Sequence, residues 1–452
     1  MKEFDLIVIG AGSGLEVASG YANRGNDVAV IEPGPLGGTC LNRGCIPSKM
    51  LIHRADVAEE IRGSEKFGVE SEINDIDFNC IIEEINSEVS GDAENIKKGL
   101  ENSDRHTLFR EEAEFVDEKL LEVGDEEIAS EKIVIAAGSR PFKPPIDGLD
   151  EIHYWTSKEA LNPDYRPERL IMIGGGYISL ELAHFYDAMG TDVTILERGD
   201  KLLKREDSDI SGKITEIAKR RYNVNLGLPA TEVREKDGEK IVVAETEDGE
   251  QKDFRTDELL VAAGRVSNTD KLNVEEQGFE TTDGGFLKTD EHMETNVEGV
   301  YALGDIADNW MFKHSANYEA GTVYRNIVTD NDYEVGQVEM PHAVFTSPQI
   351  ASIGKTEQEL NEDGTDYVKS KYDYSDTGMG MALKAENGYV KLLASEKGKI
   401  LGCHIIGPEA STLIHEVIVA KQSGSGNISD IKDAIHVHPA LSEVVQRAFN
   451  QI

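Results

Sequence analysis

Cys40 and Cys45 stand five positions apart in the run Gly37-Gly38-Thr39-Cys40-Leu41-Asn42-Arg43-Gly44-Cys45-Ile46-Pro47-Ser48-Lys49. Only two other cysteines, Cys80 and Cys403, occur in 452 residues, an economy that argues against a structural disulfide framework. In a regular α-helix, residues i and i+5 lie about 7.5 Å apart along the axis, beyond the usual Cα reach of a disulfide. If the two bond, the helix they belong to must begin irregularly. Pro47 and Ser48 suit a first helical turn, and the positive end of a helix lowers a thiol pKa toward a reactive thiolate. The alternative, two incidental buried thiols, fits this glycine-lined turn poorly. A second candidate lies near the end of the chain, in Ile435-His436-Val437-His438-Pro439-Ala440-Leu441-Ser442-Glu443. His438 could act as a base oriented by Glu443, a pairing that fixes the imidazole tautomer and raises its basicity. Taken alone, such a pair is more often structural.

The elements around the cysteines carry a repeated grammar. Residues 4–9 read as a β-branched, apolar strand ending in Gly10-Ala11-Gly12-Ser13-Gly14, followed by a helical pattern to about residue 24 and a second strand, 27–31, closed by Glu32. Glycines at a first βα turn with an acid about 20 residues on form the signature of dinucleotide binding. The glycines let the backbone approach a diphosphate, the helix N-terminus attracts it, and the carboxylate takes the ribose hydroxyls. About 165 residues on, strand 169–173, turn Gly174-Gly175-Gly176, helix 181–189, strand 192–196 and Glu197 repeat the pattern. One such match is weak evidence and two in register are strong, so two dinucleotides are implied. Leu15 and Ser179 stand where the third fingerprint glycine is usual, which predicts slightly displaced helices.

Two further strand-to-glycine elements, ending at Gly138 and Gly264, bracket the second unit and read as seams where the chain leaves and re-enters a first domain. A later strand ends in Gly304-Asp305, with a helix over 318–328. Such an acid could hold a flavin polyol, or simply cap the helix. After an acidic linker, 330–338, the pattern changes to strands at 341–354, 389–395 and 400–406 with helices at 411–421 and 441–449. The fold class is therefore α/β: two Rossmann-like dinucleotide-binding domains plus an α+β domain.

Against 46 basic residues stand 86 acidic ones, a formal net charge of −40. Nucleic-acid and anionic-membrane partners are disfavoured. The acids are dispersed along the chain and form no tail, as on a surface screened by concentrated counterions in a salt-accumulating cytoplasm. No run of about 18 apolar residues appears, and the N-terminus shows no signal-peptide pattern; a cytoplasmic location is expected.

In this order, the elements resemble the FAD-dependent pyridine nucleotide-disulfide oxidoreductases of the two-cysteine class, which include dihydrolipoamide dehydrogenase, glutathione and mycothione reductases and the mercuric reductase core. The resemblance covers essentially the whole chain and is most specific at 37–49, 174–181, Gly304-Asp305 and 438–443. It implies an FAD-binding domain over 1–145 and 266–337, an NAD(P)-binding domain over 146–265, and a dimerisation domain over 338–452. It assigns Cys45 as the thiol against the flavin and Cys40 as the interchange thiol. Lys49 and Glu181 match the ion pair beside flavin N5, and His438 with Glu443 would complete the active site of the partner subunit in a homodimer. The implied FAD contacts are Gly10, Gly12, Gly14, Glu32, Gly38, Thr39, Lys49, Gly138, Gly304 and Asp305. Those to NAD(P) are Gly174, Gly176, Tyr177, Ile178, Glu197 and Gly264. No metal site is expected.

Within the resemblance, Glu197 favours NAD over NADP, because a carboxylate at the ribose 2′ position repels a phosphate; Arg198, Lys201, Lys204 and Arg205 soften that preference. NAD use and the wording of 40–49 fit a dihydrolipoamide dehydrogenase-like enzyme acting on a dithiol or disulfide. The runs 312–319 and His438-Pro439-Ala440 look more like mycothione and bis-γ-glutamylcystine reductases, the alternative. A mercuric reductase core is less favoured, since no cysteine follows Cys403. A docking role in a 2-oxoacid dehydrogenase complex is a further reading from another class.

Overall fold

The computed structural model describes residues 1–452 except 308–309, 330–332 and 337. Part of the acidic linker expected at 330–338 therefore lies outside the described residues. Strand Leu6–Ile9, buried along its whole length, pairs in parallel with Val28–Ile31 on one side and Ile133–Ile135 on the other. His106–Phe109 and Val300–Ala302 complete a five-stranded parallel sheet. Continuous Val and Ile runs suit such strands because helices cover both faces. A second parallel sheet runs in the order Asn223–Leu226, Asp192–Glu197, Arg169–Ile173, Glu258–Val261. In each sheet an inner strand feeds a glycine turn and then a helix, Gly14–Ala22 in the first and Tyr177–Ala188 in the second.

The two turns are built alike. Gly10 (φ +102°) and Gly174 (φ +108°) occupy the left-handed region, and a Cβ there would come within 2.2 Å of the Ala136 carbonyl oxygen and 2.5 Å of that of Ala262, respectively. Those alanines bond back through their N–H groups to Ile9 and Ile173 at 2.7 and 2.9 Å. The expected strands through 137 and 263 consequently stop at Ile135 and Val261, where the chain passes over the glycines. The missing third glycine has a local answer in the first unit. A Cβ on Gly14 would lie 2.8 Å from Val8 and 3.0 Å from Ala136, so the close helix–strand approach falls one residue before Leu15. Beyond the seams, Ser139–Pro141 and Arg265–Ser267 run side by side as an antiparallel pair.

The C-terminal part is a five-stranded antiparallel sheet in the order His342–Val344, Gln349–Gly354, Ile400–Gly407, Tyr389–Ala394, Val368–Asp373. Helices Ala410–Gln422 and Glu443–Phe449 pack with it around Cys403, Ile405 and Phe449. The single strand expected at 341–354 is two. Elements without a sequence expectation include the edge strand Val368–Asp373, the long helix Phe78–Glu101, and the antiparallel meander Ala230–Lys236, Glu239–Glu245, Gln251–Thr256. No helix among the described residues is long and apolar enough to cross a membrane.

A buried ion cluster joins this sheet to the second nucleotide unit. Lys391, 2% exposed, reaches Asp207 and Asp209 at 2.7 Å each and Glu357 at 2.6 Å. Burial opposes ionisation of Glu357, yet hydrogen bonds from Lys369 and Lys391 hold its carboxyl down at about 2, from an ordinary value of 4.5. A depressed carboxylate pKa stabilises the fold above the unfolded value and loses that contribution as pH falls through the folded one. Removing the buried cation leaves carboxylates uncompensated, a cost of about 3–5 kcal/mol. Lys391→Met should therefore lower the melting temperature at neutral pH by several degrees, and the gap to wild type should close between roughly pH 4.5 and 2; thermal unfolding against pH measures both.

Candidate active site

The cysteine segment is shaped by its glycines. Gly37 and Gly38 (φ +96° and +66°) turn the chain into the short helix Gly38–Arg43, and a Cβ on Gly38 would sit 2.7 Å from Cα of Gly12. The cysteine segment thus lies directly on the first nucleotide turn. Gly44 (φ −149°, ψ −122°) interrupts the helix, and a new one, Cys45–Arg62, begins at the second cysteine. Pro47, the third residue of this helix, lies in its first turn as expected, and Ser48 Oγ donates to the Cys45 carbonyl at 3.2 Å. The break resolves the spacing problem, because Cys40 and Cys45 lie on different helices and meet across the kink.

Both are free thiols, hydrogen-bonded to each other. The bond from Cys40 lowers the Cys45 pKa to about 6 from 9.0, with Lys49 and a backbone N–H assisting against burial. Cys40, as the donor, is pushed well above its ordinary value by the same bond and by burial, while the charge of Lys313 acts the other way. The pair therefore carries one thiolate, on Cys45, and one retained proton, on Cys40. Cys403 is fully buried, and burial raises its thiol well above the ordinary value; Cys80 is exposed at the start of helix Phe78–Glu101, away from the pair.

Lys49, one turn beyond Cys45, joins three parts of the molecule. Its Nζ lies 2.7 Å from Glu181 Oε2 on the second unit's helix and 4.5 Å from the Phe345 ring centroid. The Phe345 N–H donates to the other oxygen of Glu181 at 2.9 Å. Glu181 is only 6% exposed, and both of its oxygens are hydrogen-bonded, as burial of a polar group requires.

The strand-end acids occupy equivalent places. Glu32 accepts from the Ala11 and Gly34 N–H groups at 3.0 and 2.9 Å; Glu197 accepts from those of Gly175 and Gly199 at 2.6 and 2.7 Å. Asp305 Oδ2 accepts from Ser139 Oγ at 2.7 Å, and Arg265 lies 3.7 Å from the same oxygen while its Nε donates to Ser139 Oγ at 2.7 Å. The sequence did not single out Ser139, Arg265 or Phe345, because their roles arise only where the two seam strands pair and where the C-terminal sheet touches Glu181.

A continuous cleft of about 2720 Å³ runs past all of these groups. On the first-unit side it is lined by Gly10, Gly12, Glu32, Gly38, Thr39, Gly138, Gly304 and Asp305, and on the other by Gly174, Gly176, Tyr177, Ile178, Glu197 and Gly264. Cys40, Cys45, Lys49 and Glu181 lie between them. Gly14 is not on its wall, being buried against the sheet. Asp305 does not cap the following helix, Lys313–Val328, whose preceding residue is Phe312. Two turns in which side chains are sterically excluded, each with an acceptor-rich acid at the strand end, fit two dinucleotides, FAD and NAD(P).

His438 and Glu443 form the expected pair: His438 Nδ1 lies 3.0 and 3.1 Å from the two oxygens of Glu443, which also accepts from the Ala440 N–H at 3.2 Å. The bond from His438 holds the Glu443 carboxyl below its ordinary value. The imidazole does not line this chain's own cleft; its side chain is 75% exposed beside the uncovered Ile435 and Val437.

Two nucleotide cradles facing a dithiol and an ion pair of half-buried Lys49 with buried Glu181 define a nucleotide-linked disulfide oxidoreductase. Residues 4–320 match the family described as pyridine nucleotide-disulphide oxidoreductase, and 340–449 match its dimerisation domain; the chain belongs to that family. It is similar to dihydrolipoyl dehydrogenase of Haloferax volcanii, with 36% identity over 458 residues covering 98% of this chain and 95% of the relative. Mycothione reductase of Mycobacterium tuberculosis is 35% identical over 467 residues, covering 99% of each. Among solved structures, the HOCl-induced flavoprotein disulfide reductase RclA from Escherichia coli is 26% identical with a TM-score of 0.89, covering 99% of this chain and 100% of that one. The protein is an FAD-dependent NAD(P)H-disulfide oxidoreductase, and its dimerisation domain supports a homodimer.

The Cys40–Cys45 bond makes a direct prediction. In the reduced enzyme, alkylation of Cys45 by iodoacetamide, followed by mass spectrometry against pH, should titrate with a midpoint near 6. Cys40→Ala removes the donor and should move that midpoint upward, toward an ordinary thiol. An unchanged midpoint would remove Cys40 as its cause.

Proposed function

We propose an NADH-linked enzyme of dihydrolipoyl dehydrogenase type, with the domain limits 1–145 and 266–337 for FAD, 146–265 for the nicotinamide nucleotide and 338–452 for dimerisation. The observation that carries the cofactor choice is Glu197. Two backbone N–H groups hold its carboxylate at the second turn, as two others hold Glu32 at the first. A fixed negative charge there accepts a ribose hydroxyl and disfavours a 2′-phosphate. The paired seam strands 139–141 and 265–267 support the interrupted first domain.

FAD, when bound, passes electrons between the nicotinamide and the cysteine pair. The chain's own residues carry the rest. Lys49 and Glu181 fix the cysteine helix against the second unit and keep a positive charge beside the Cys45 thiolate. Toward a disulfide substrate, His438 of the partner subunit takes the Cys40 proton. Cys40 sulfur attacks and forms a mixed disulfide, and the first leaving thiolate receives that proton. Cys45 thiolate then attacks the Cys40 sulfur, closing the Cys40–Cys45 disulfide and releasing the second thiolate. The exposure of His438 beside Ile435 and Val437, away from its own cleft, supports a site shared between subunits.

A low-molecular-weight disulfide as substrate is the second reading, favoured by the full-length similarity to mycothione reductase. The dispersed acidic surface and the Haloferax relative support a cytoplasm rich in salt. A panel in molar KCl crossing NADH and NADPH with lipoamide, bis-γ-glutamylcystine, glutathione disulfide and Hg²⁺ separates these readings: turnover of lipoamide with NADH is expected, and its absence rejects the first.

Two variants test the roles. Glu197→Ala should lower kcat/KM for NADH roughly tenfold and narrow its advantage over NADPH; an unchanged ratio rejects the assignment. His438→Ala should slow disulfide reduction by about 10²–10⁴-fold while leaving reduction of the flavin by NADH, followed by stopped flow, near wild type.

A further inference from the structure

Lys313 is the first residue of helix Lys313–Val328 and a cleft-lining cation that the roles above leave unused. Its Nζ donates to Ser13 Oγ at 2.7 Å and to Asn317 Oδ1 at 2.6 Å, and Ser13 Oγ in turn donates to Asn317 at 3.0 Å. Ser13 is 7% exposed and is the residue preceding helix Gly14–Ala22, yet its hydroxyl makes no capping bond to that helix. The hydroxyl is committed to the lysine instead. Among the described residues, the acid within ion-pair reach is Glu16, whose half-exposed carboxylate stands 3.9 Å away.

Position and anchoring point the same way. The two helices pack so closely that a Cβ on Gly20 would come within 2.7 Å of the Tyr324 ring. At the other end, Phe312 stacks on His314 and His342 with interplanar angles of 8° and 1°, and His314 bonds to the Pro341 carbonyl at 2.7 Å. Lys313 is therefore clamped from both sides, and its ammonium is delivered to the turn Gly12-Ser13, where a dinucleotide diphosphate meets the helix N-terminus. In a chain of net charge −40, an ammonium held mainly by two neutral oxygens brings unspent positive charge to the place where an anion binds. Ammonium–phosphate contacts are among the stronger hydrogen bonds.

We propose that Lys313 is a diphosphate-binding residue of the FAD site, with Ser13 and Asn317 as the residues that position it. The proposal rests on the assignment of the first glycine turn to FAD. It adds to that site a side-chain cation from an element 300 residues away in sequence.

The test follows FAD release from the full-length holoenzyme on dilution, read as free-flavin fluorescence, at several KCl concentrations. Lys313→Met should raise the apparent dissociation constant roughly tenfold and flatten its dependence on KCl, because one ionic contact is gone. Lys313→Arg keeps the charge and should retain FAD nearly as wild type does. Asn317→Leu unties the ammonium and should fall between them, and it carries the comparison if Lys313→Met does not fold. Wild-type retention of FAD by Lys313→Met overturns the proposal. So does unchanged retention with a shifted pH profile of Cys40 alkylation, which would assign the charge to that thiol. Glu32→Ala serves as control: if it too retains FAD normally, the first turn is not the FAD site and that reading fails instead.

Discussion

The Lys49–Glu181 pair is the contact on which the centre depends. One partner belongs to the helix that starts at Cys45, the other to the helix that starts at the second glycine turn, and a backbone N–H of the C-terminal sheet completes the carboxylate's bonding. A charge as buried as that of Glu181 is tolerated only while its partners stay in place. The pair therefore sets the distance between the dithiol and the second nucleotide turn, and ties both to the third part of the molecule. The Lys391 cluster does the same further from the chemistry, joining the second unit to the C-terminal sheet by a cation shared among three carboxylates.

Much of this was legible in the sequence because glycines leave no ambiguity. Gly10 and Gly174 sit where a side chain would collide with a carbonyl oxygen, and the acids Glu32 and Glu197 follow at the interval a strand, helix and strand require. The cysteine spacing likewise announced an irregular helix start, and Gly44 supplies it. The C-terminal His438–Glu443 pair was readable as a unit because five residues suffice to bring the two together.

What escaped is what depends on contacts between distant segments. Ser139 and Arg265 matter only because two seam strands pair, and Phe345 only because its N–H meets Glu181. In the first unit Gly14 makes the close approach usual for a glycine at position 15. Strand limits failed at 136–137 and 262–263, where the backbone must turn to clear a glycine. The outer meander strands Ala230–Lys236 and Gln251–Thr256 and the edge strand Val368–Asp373 have mixed polar and apolar faces that carry little periodic signal, their burial being partial or one-sided.

Glu32 and Glu197 each accept two backbone N–H groups, one from the glycine turn and one from the residues just beyond the strand. A carboxylate has about four lone-pair positions, so about half remain free for ribose hydroxyls. Both turns are thus assembled by protein groups alone, and a nucleotide meets a surface whose shape and acceptors are already in place. Most of the ordering entropy of binding is spent during folding rather than at encounter, which makes each cradle a rigid template instead of a loop that closes on its ligand.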